Sequence, residues 1–166
     1  KDKLMTLYKE IFIELSKERV KYLVAGGVAV NLHQINRATV DLDLIIHLEK
    51  TNILKFVKAM THLGYVPKVS VDPKDFADEE KRKQWIKEKN MIVFSFIHPE
   101  KPFELIDIFI HEPMPFNDLD KRSKKIEAFE ITIPILSLKD LLKLKEQAGR
   151  PKDLYDIKIL RKMIDQ

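Results

Sequence analysis

The sequence predicts an α/β or α+β domain in which helices flank a mixed central sheet and a helical pair closes the chain. Helical and strand patterns alternate along most of its length. Two apolar strands, MIVFSFI (91–97) and FELIDIFI (103–110), are separated only by HPEKP, which indicates an antiparallel hairpin. The 166 residues, 45% of them hydrophobic, suffice for one domain with a proper core.

The first part of the chain predicts two strands separated by a short helix. A helix over 3–18 has an apolar stripe of Leu4, Leu7, Ile11 and Leu15. VKYLVAGG (20–27) predicts a buried strand that ends at a double glycine, and VAVNLHQI (28–35) a helix directly after it. Residues 37–47 alternate, so we expect a strand with Val40, Leu42, Leu44 and Ile46 on one side and Arg37, Thr39, Asp41 and Asp43 on the other.

The remaining elements complete the sheet and close the chain. In order they are a helix over 51–63 stopped by Gly64, a weaker strand over 65–71, a charged helical segment over 74–89, the hairpin, a linker with Pro113 and Pro115, a basic cluster over 121–125 and a strand over 129–135. A helix then opens with Ser137 and Asp140 and closes at Gly149, and a last helix begins at Pro151. Within one domain over 1–166, we expect a catalytic core in 1–112 and a C-terminal strand with a helical hairpin in 113–166.

Composition excludes several classes of protein. No apolar run approaches the roughly 20 residues of a bilayer span, and the charged start shows no secretory signal, so we expect no membrane contact. The absence of cysteine excludes disulfides and thiolate zinc sites and is compatible with a reducing, cytoplasmic location. A net charge of +4 permits a polyanionic partner without requiring one.

Two aspartates in an apolar strand, RATVDLDLII (37–46), need an explanation, because ionised carboxylates are costly to bury without a partner. Side chains two residues apart on a strand project from one face roughly 7 Å apart. At that spacing, Asp41 and Asp43 can together hold hard divalent cations, although a solvated strand face would show the same pattern. Asp107 offers a third carboxylate in a strand centre; Glu104, on the same strand, has the opposite parity and lies near the hairpin turn.

Gly26 and Gly27 lie between a strand and a helix, where free backbone N–H groups and the missing Cβ atoms suit a phosphate. A plain tight turn would look the same. The carboxylate pair that follows these glycines favours phosphate binding over a plain tight turn.

The stretch LVAGGVAVNLHQINRATVDLDLII closely resembles the signature of the polymerase-β-like nucleotidyltransferases: a strand, Gly-Gly or Gly-Ser, a helix, then Arg-x-Thr-x-Asp-x-Asp. Within that superfamily the chain is most similar to the abortive-infection (AbiE-type) nucleotidyltransferase toxins. LSLKDLLKLKEQAGRPKDLYDIKIL resembles their C-terminal motif of a lysine, an arginine, then Lys-Asp-x-x-Asp. Residues 65–90 match no motif of that family.

The resemblance implies a nucleotidyltransferase fold and a magnesium-dependent transfer of an NMP from ATP or another NTP, with release of pyrophosphate. Asp41, Asp43 and Asp107 would hold two Mg²⁺ or Mn²⁺ ions, and Asp107 would align or deprotonate the acceptor hydroxyl. Amides of Gly26 and Gly27 would bind the triphosphate, without the hydroxyl that Gly-Ser members have.

Four further residues are nucleotide-binding candidates. Thr39 would support a metal-bound water, and Arg37 would either pair with the triphosphate or neutralise Asp41. Lys145 and Arg150, which cluster with two aspartates at the junction of the last helices, would either meet phosphates or belong to a capped helical hairpin.

The leading hypothesis is a toxin-like enzyme that acts on RNA, such as a tRNA end, or on a protein hydroxyl, and that has a cognate antitoxin. Basic residues around Trp85 and in 121–125 would suit RNA, but they are equally typical of solvated helices. The alternatives are a small-molecule (antibiotic-type) nucleotidyltransferase and a catalytically silent nucleotide- or partner-binding module.

Overall fold

The computed structural model describes the backbone of residues 2–166 and the side chains from Met5 onward. In this part of the chain, seven strands form one sheet in the order β3-β4-β5-β2-β1-β7-β6. The strands are β1 Tyr22–Ala25, β2 Leu42–Ile46, β3 Val66–Pro67, β4 Val93–His98, β5 Lys101–Phe109, β6 Lys124–Ala128 and β7 Ile131–Ile135. The helices are α1 Asp2–Leu7, α2 Lys9–Lys17, α3 Gly26–Leu32, α4 Lys50–His62, α5 Glu79–Lys89, α6 Phe116–Arg122, α7 Leu138–Ala148 and α8 Leu154–Ile164, with 3-10 turns at Pro73–Ala77 and Pro151–Asp153.

The sheet is mixed, as predicted. Strands β2 and β5 run parallel, as do β1 and β7, and the other neighbouring pairs are antiparallel. The expected hairpin joins β4 to β5. The C-terminal helical pair is also confirmed: the Ser137 hydroxyl accepts a hydrogen bond from the Asp140 amide, and α7 ends at Gly149 in the left-handed region.

Aromatic rings fill the core on one face of the sheet. They join α2, α4, α5 and the first 3-10 turn to the strands through the pairs Phe12–Tyr22, Phe56–Phe96, Phe76–Phe94 and Trp85–Phe94. Burial of this kind is the main source of stability in such a domain. The charged segment 74–89 is therefore a packing element of the core.

The other face of the sheet is only partly covered beside β4 and β5. Alternate residues on these strands are half-buried, while their neighbours are fully buried on the aromatic side. We call this region the open face; it comprises Asp43, Val93, Ser95, Ile97, Leu105 and Asp107.

The first predicted helix is divided by Tyr8 into α1 and α2. The buried Tyr8 hydroxyl donates a hydrogen bond to the carbonyl of Val40. Ile11 and Leu15 are buried as the stripe predicts, whereas Leu7 is 43% exposed and the side chain of Leu4 lies outside the described residues.

The strand predicted over 37–47 is shorter than expected. Only Leu42–Ile46 pairs as β2, so Arg37, Thr39 and Asp41 lie on the irregular segment that leads into the strand. Side-chain hydrogen bonds take the place of strand pairing there: Asn31 binds both the N–H and the C=O of Arg37.

The hairpin formed by β6 and β7 was not predicted. The basic stretch 121–125 ends α6 and begins β6, and Phe129 and Glu130 make the turn with positive φ angles of 53° and 62°. The strand expected over 65–71 contracts to Val66–Pro67, and the helix expected at 28–35 occupies Gly26–Leu32. No helix within residues 2–166 is long and apolar enough to cross a membrane.

Candidate active site

Two of the three predicted acids, Asp43 and Asp107, are neighbours on the open face, and Asp41 lies just before β2. Asp43 on β2 stands directly opposite Asp107 on the parallel strand β5. Neighbouring strands lie about 4.8 Å apart, so these two side chains are adjacent on the same face. Asp41 comes one residue before β2 begins, and its charge acts on both other carboxylates. The strand register thus places Asp107 beside Asp43, as the expected site requires. The roles of the three acids as metal ligands stay predictions.

The acids oppose each other's ionisation. Burial raises the pKa of Asp43 to about 7, with further contributions from the charges of Asp107 and Asp41. Lys145 and Arg150 act in the opposite direction, which shows that both cations lie within electrostatic reach of this carboxylate. A carboxyl of this kind, in a cluster with two others, is typical of a functional site rather than of a solvated strand.

Ser95 holds the third acid in place. Its hydroxyl donates a hydrogen bond of 2.5 Å to Oδ1 of Asp107, from the position directly opposite on β4. Burial raises the pKa of Asp107, and the bond from Ser95 opposes that rise because it favours the charged carboxylate. No local pattern in the sequence points to Ser95, because its partnership with Asp107 depends on strand register.

The two glycines make room for side chains of the same chain. A Cβ on Gly26, whose φ is +58°, would overlap Oδ2 of Asp43. A Cβ on Gly27 would overlap the guanidinium of Arg37 and lie 2.6 Å from the hydroxyl oxygen of Thr39. Close approach of protein groups therefore accounts for both glycines in this structure. Triphosphate binding by their amides stays a prediction.

Arg37 pairs with a residue from the other end of the chain. Its Nε donates to Oδ1 of Asp156 at 2.9 Å, and Asp156 is 3% exposed. We expected Arg37 to contact either the triphosphate or Asp41; the partner that the structure provides is Asp156 on α8. The contact joins the segment before β2 to the C-terminal helices.

Lys145 and Arg150 bind two buried aspartates, Asp153 and Asp156, at the junction of the last two helices. Lys145 Nζ lies 3.0 Å from Oδ2 of Asp156 and 3.4 Å from Oδ1 of Asp153, and Arg150 Nε lies 2.7 Å from Oδ2 of Asp153. Burial opposes the ionisation of Asp153, but the hydrogen bond from Arg150 and the charge of Lys145 lower its pKa. The two aspartates thus fix the positions of three cations beside the acid cluster.

The donor set suits a hard divalent cation. All three acids offer oxygen ligands, which Mg²⁺ and Mn²⁺ prefer, and a bound cation would relieve the repulsion that raises the pKa of Asp43. Among residues 5–166, however, no three acidic or histidine side chains are close enough as placed to hold a metal together. The carboxylate of Asp43 lies against Gly26, and one oxygen of Asp107 is engaged by Ser95.

Several residues of the basic segments proposed for RNA contact are engaged in contacts within the protein. Trp85 stacks on Phe94 inside the core, and Arg82 is buried with its guanidinium on the carbonyl of Phe76, so neither is free to meet a nucleic acid. In the cluster 121–125, Arg122 binds Asp140 and Lys125 binds Asp120.

Comparison with protein families identifies the chain's relatives. The model of the family described as "Nucleotidyl transferase AbiEii toxin, Type IV TA system" matches residues 10–165. The chain belongs to this AbiEii family. It is accordingly a nucleotidyltransferase of the toxin–antitoxin class, as the sequence motifs predicted. No curated protein matches this AbiEii chain closely enough to be counted as a relative.

Solved structures share the fold of the AbiEii chain at low sequence identity. A candidate nucleotidyltransferase from Thermotoga maritima is 16% identical with a TM-score of 0.59, over 99% of this chain and 94% of that one. ANT(2")-Ia in complex with adenylyl-2"-tobramycin is 14% identical with a TM-score of 0.60, over 96% and 88%. The lincosamide antibiotic adenylyltransferase LnuA, bound to lincomycin, is 18% identical with a TM-score of 0.58, over 92% and 95%. The nucleotidyltransferase fold is thereby confirmed.

Proposed function

We propose that this chain transfers an NMP from an NTP to a hydroxyl group of RNA, such as a tRNA end, or of a protein, in the cytoplasm. The observation that supports this proposal is the alignment of Asp43 with Asp107 on parallel strands, with Asp41 beside them and two cations within electrostatic reach. Because the chain belongs to a toxin–antitoxin family, the proposal includes a cognate antitoxin.

Asp41, Asp43 and Asp107 would hold two divalent cations. When bound, these cations would stabilise the charge that develops at phosphorus during an in-line displacement. Asp43 is central among the proposed ligands, because the charges of both other acids act on it.

Asp107 is our candidate for the group that takes the proton of the acceptor hydroxyl. The acceptor oxygen forms a bond to the α-phosphorus, the bond from that phosphorus to the bridging oxygen breaks, and pyrophosphate leaves. Burial raises the pKa of Asp107, which makes its carboxylate a better proton acceptor than an ordinary aspartate. The hydrogen bond from Ser95 occupies one of its oxygens and orients the other.

Lys145 and Arg150 would bind the phosphates of the NTP. Arg150 is the more accessible of the two, with 53% of its side chain exposed, whereas Lys145 is enclosed between Asp153 and Asp156. A charged guanidinium of this kind can pair with phosphate oxygens in a bidentate manner.

Labelling tests the proposal directly. The chain is incubated with each α-labelled NTP, Mg²⁺, and either total RNA or lysate, and we expect label in a macromolecular product. Asp41→Ala, Asp43→Ala and Asp107→Asn should each abolish it, whereas Asp165→Asn, at the exposed end of α8, should not.

Undiminished labelling by any of the three site variants would overturn the assignment of that residue. Label that enters only a small molecule would support the antibiotic-type alternative. NTP binding without any transfer would support the silent module.

A further inference from the structure

A row of side chains crosses the open face from the acids to the edge of the sheet. Strand register places five residues side by side, in the order Ala25, Asp43, Asp107, Ser95 and Lys68. Lys68 lies opposite Ser95 because the preceding residue, Pro67, pairs with Phe96 on β4. The Lys68 amide donates a hydrogen bond of 2.8 Å to the Ser95 carbonyl. Residues opposite each other on adjacent strands share a face, so Lys68 extends the acid row outward.

Lys68 and the other cations act on different acids. The charge of Lys68 lowers the pKa of Asp107, whereas Lys145 and Arg150 lower that of Asp43. Lys68 is exposed, and within residues 5–166 no carboxylate lies close enough to form an ion pair with it. The site therefore has a cation on the Asp107 side that is unneutralised and in contact with solvent.

An exposed aromatic ring lies on the strand that carries Asp107. Phe103 is 84% exposed, the highest fraction among the large hydrophobic residues from Met5 onward. Phe103 lies in an irregular part of β5: Ile97 pairs with Leu105 but His98 pairs with Lys101, so residues 102–104 have no partner opposite them on β4. Its ring faces solvent, and the regular part of the strand that carries Leu105 and Asp107 begins two residues later. Phe103 precedes Asp107 by four positions, a span of at most about 13 Å along the strand.

We infer that the open face beside Asp107 binds the acceptor as single-stranded RNA, with Lys68 on a phosphate and Phe103 stacked on a base. A cation combined with an exposed aromatic ring is how proteins hold single strands without reading their sequence. Lys68 would repel a cationic small molecule. Because it lies at the Asp107 end of the row, the Asp43 end is left for the triphosphate. The inference rests on the proposed function for the identity of Asp107 as the acceptor-side acid.

RNA binding is measured apart from catalysis. The whole chain is titrated with a fluorescein-labelled single-stranded RNA at several salt concentrations, in Mg²⁺ and without NTP, and anisotropy gives Kd. Loss of one base stack in Phe103→Ala should weaken binding about 5- to 100-fold. Lys68→Ala should also reduce the slope of log K against log salt by about 0.7, the value for one phosphate on a single strand, and Lys68→Arg should restore it.

Matched controls come from exposed residues away from this face. Lys89→Ala, at the end of α5, removes one positive charge, and Ile92→Ala removes a side chain that is 68% exposed. Neither should change Kd or the salt slope by more than twofold. Urea unfolding of each variant confirms that the fold is retained.

Several outcomes would overturn the inference. One is RNA affinity in Lys68→Ala and Phe103→Ala equal to that of the wild type while wild-type transfer proceeds; this result leaves the proposed function intact. Another is a loss of NTP affinity instead of RNA affinity in Lys68→Ala, which would place Lys68 on the triphosphate. Failure of the wild type to transfer label at all would contradict the proposed function, while the anisotropy data would still decide whether this face binds RNA.

Discussion

Replacement of Asp43 by asparagine should make the metal-free protein more stable at pH 8. Burial and the charges of Asp107 and Asp41 raise the pKa of this carboxyl from 3.8 to about 7. The unfolded chain therefore releases the proton near pH 4, whereas the native protein keeps it until about pH 7. Because the native state binds more protons across this interval, stability falls as the pH rises through it. Asparagine keeps the shape of the side chain and removes the charge.

The size of the effect follows from the pKa. A rise from 3.8 to about 7 corresponds to about 4 kcal/mol of destabilisation above pH 7, at about 1.4 kcal/mol for each pH unit. Rotation of the side chain and entry of water in the metal-free cleft reduce this value, since effective dielectric constants near 20 describe such sites better than those of a dry interior. We expect Asp43→Asn to raise the free energy of unfolding by about 2 kcal/mol at pH 8, and by less at pH 5.

Urea unfolding in EDTA at both pH values measures the change, with Asp165→Asn as the control for loss of an exposed carboxylate. Addition of Mg²⁺ should then stabilise the wild type, because a ligand that binds only the native state adds RT ln(1 + [L]/Kd) to the free energy of unfolding. The stability of Asp43→Asn should stay almost unchanged. A variant that is less stable than the wild type at pH 8 in EDTA would refute the electrostatic reasoning. Equal stabilisation of both proteins by Mg²⁺ would remove Asp43 from the metal site.

Three further substitutions test the contacts around the acids. Asp156→Asn leaves two cations without their buried partner and should cost about 2–3 kcal/mol in urea unfolding, more than Asp165→Asn; a cost below about 0.5 kcal/mol would contradict the buried network. Ser95→Ala removes the hydrogen bond that orients Asp107 and favours its charged form, so it should weaken Mn²⁺ binding, followed by electron paramagnetic resonance, with little change in thermal stability. Unchanged affinity would show that this hydrogen bond plays no part in metal binding. Tyr8→Phe leaves the carbonyl of Val40, just before the first acid, without its donor and should cost about 1 kcal/mol by thermal unfolding, an expectation that an unchanged midpoint would contradict.

Much of the site could be predicted from the sequence because its signals are local. Asp41, Asp43 and Asp107 stand out against apolar strand residues, and the alternation that surrounds Asp43 and Asp107 assigns each to a face. Helix ends are local too, and the residues that stop and cap the C-terminal pair, Ser137 and Gly149, perform those roles in the structure.

The errors arose where tertiary contacts replace a local preference. Residues 37–41 alternate like a strand, yet the side chain of Asn31 binds both backbone groups of Arg37, and no neighbouring strand is paired with that segment. Similarly, the pattern over 3–18 is helical throughout, but the hydrogen bond from Tyr8 to Val40 coincides with a break between two helices. The partners lie 6 and 32 residues apart in these two cases, and a periodic pattern contains no information about them.

By itself, the sequence determined the class of the fold, the three acids and the family motifs, because each depends on residue type and spacing within a short window. Only the tertiary structure decided which residues meet: Asp107 beside Asp43, Ser95 on Asp107, Asp156 between Arg37 and Lys145, and Lys68 at the end of the acid row. The physical reason is strand register and helix docking. A shift of one residue in the pairing of β2 with β5 would move Asp107 to the opposite face, and it is the packing of the whole sheet that fixes this pairing.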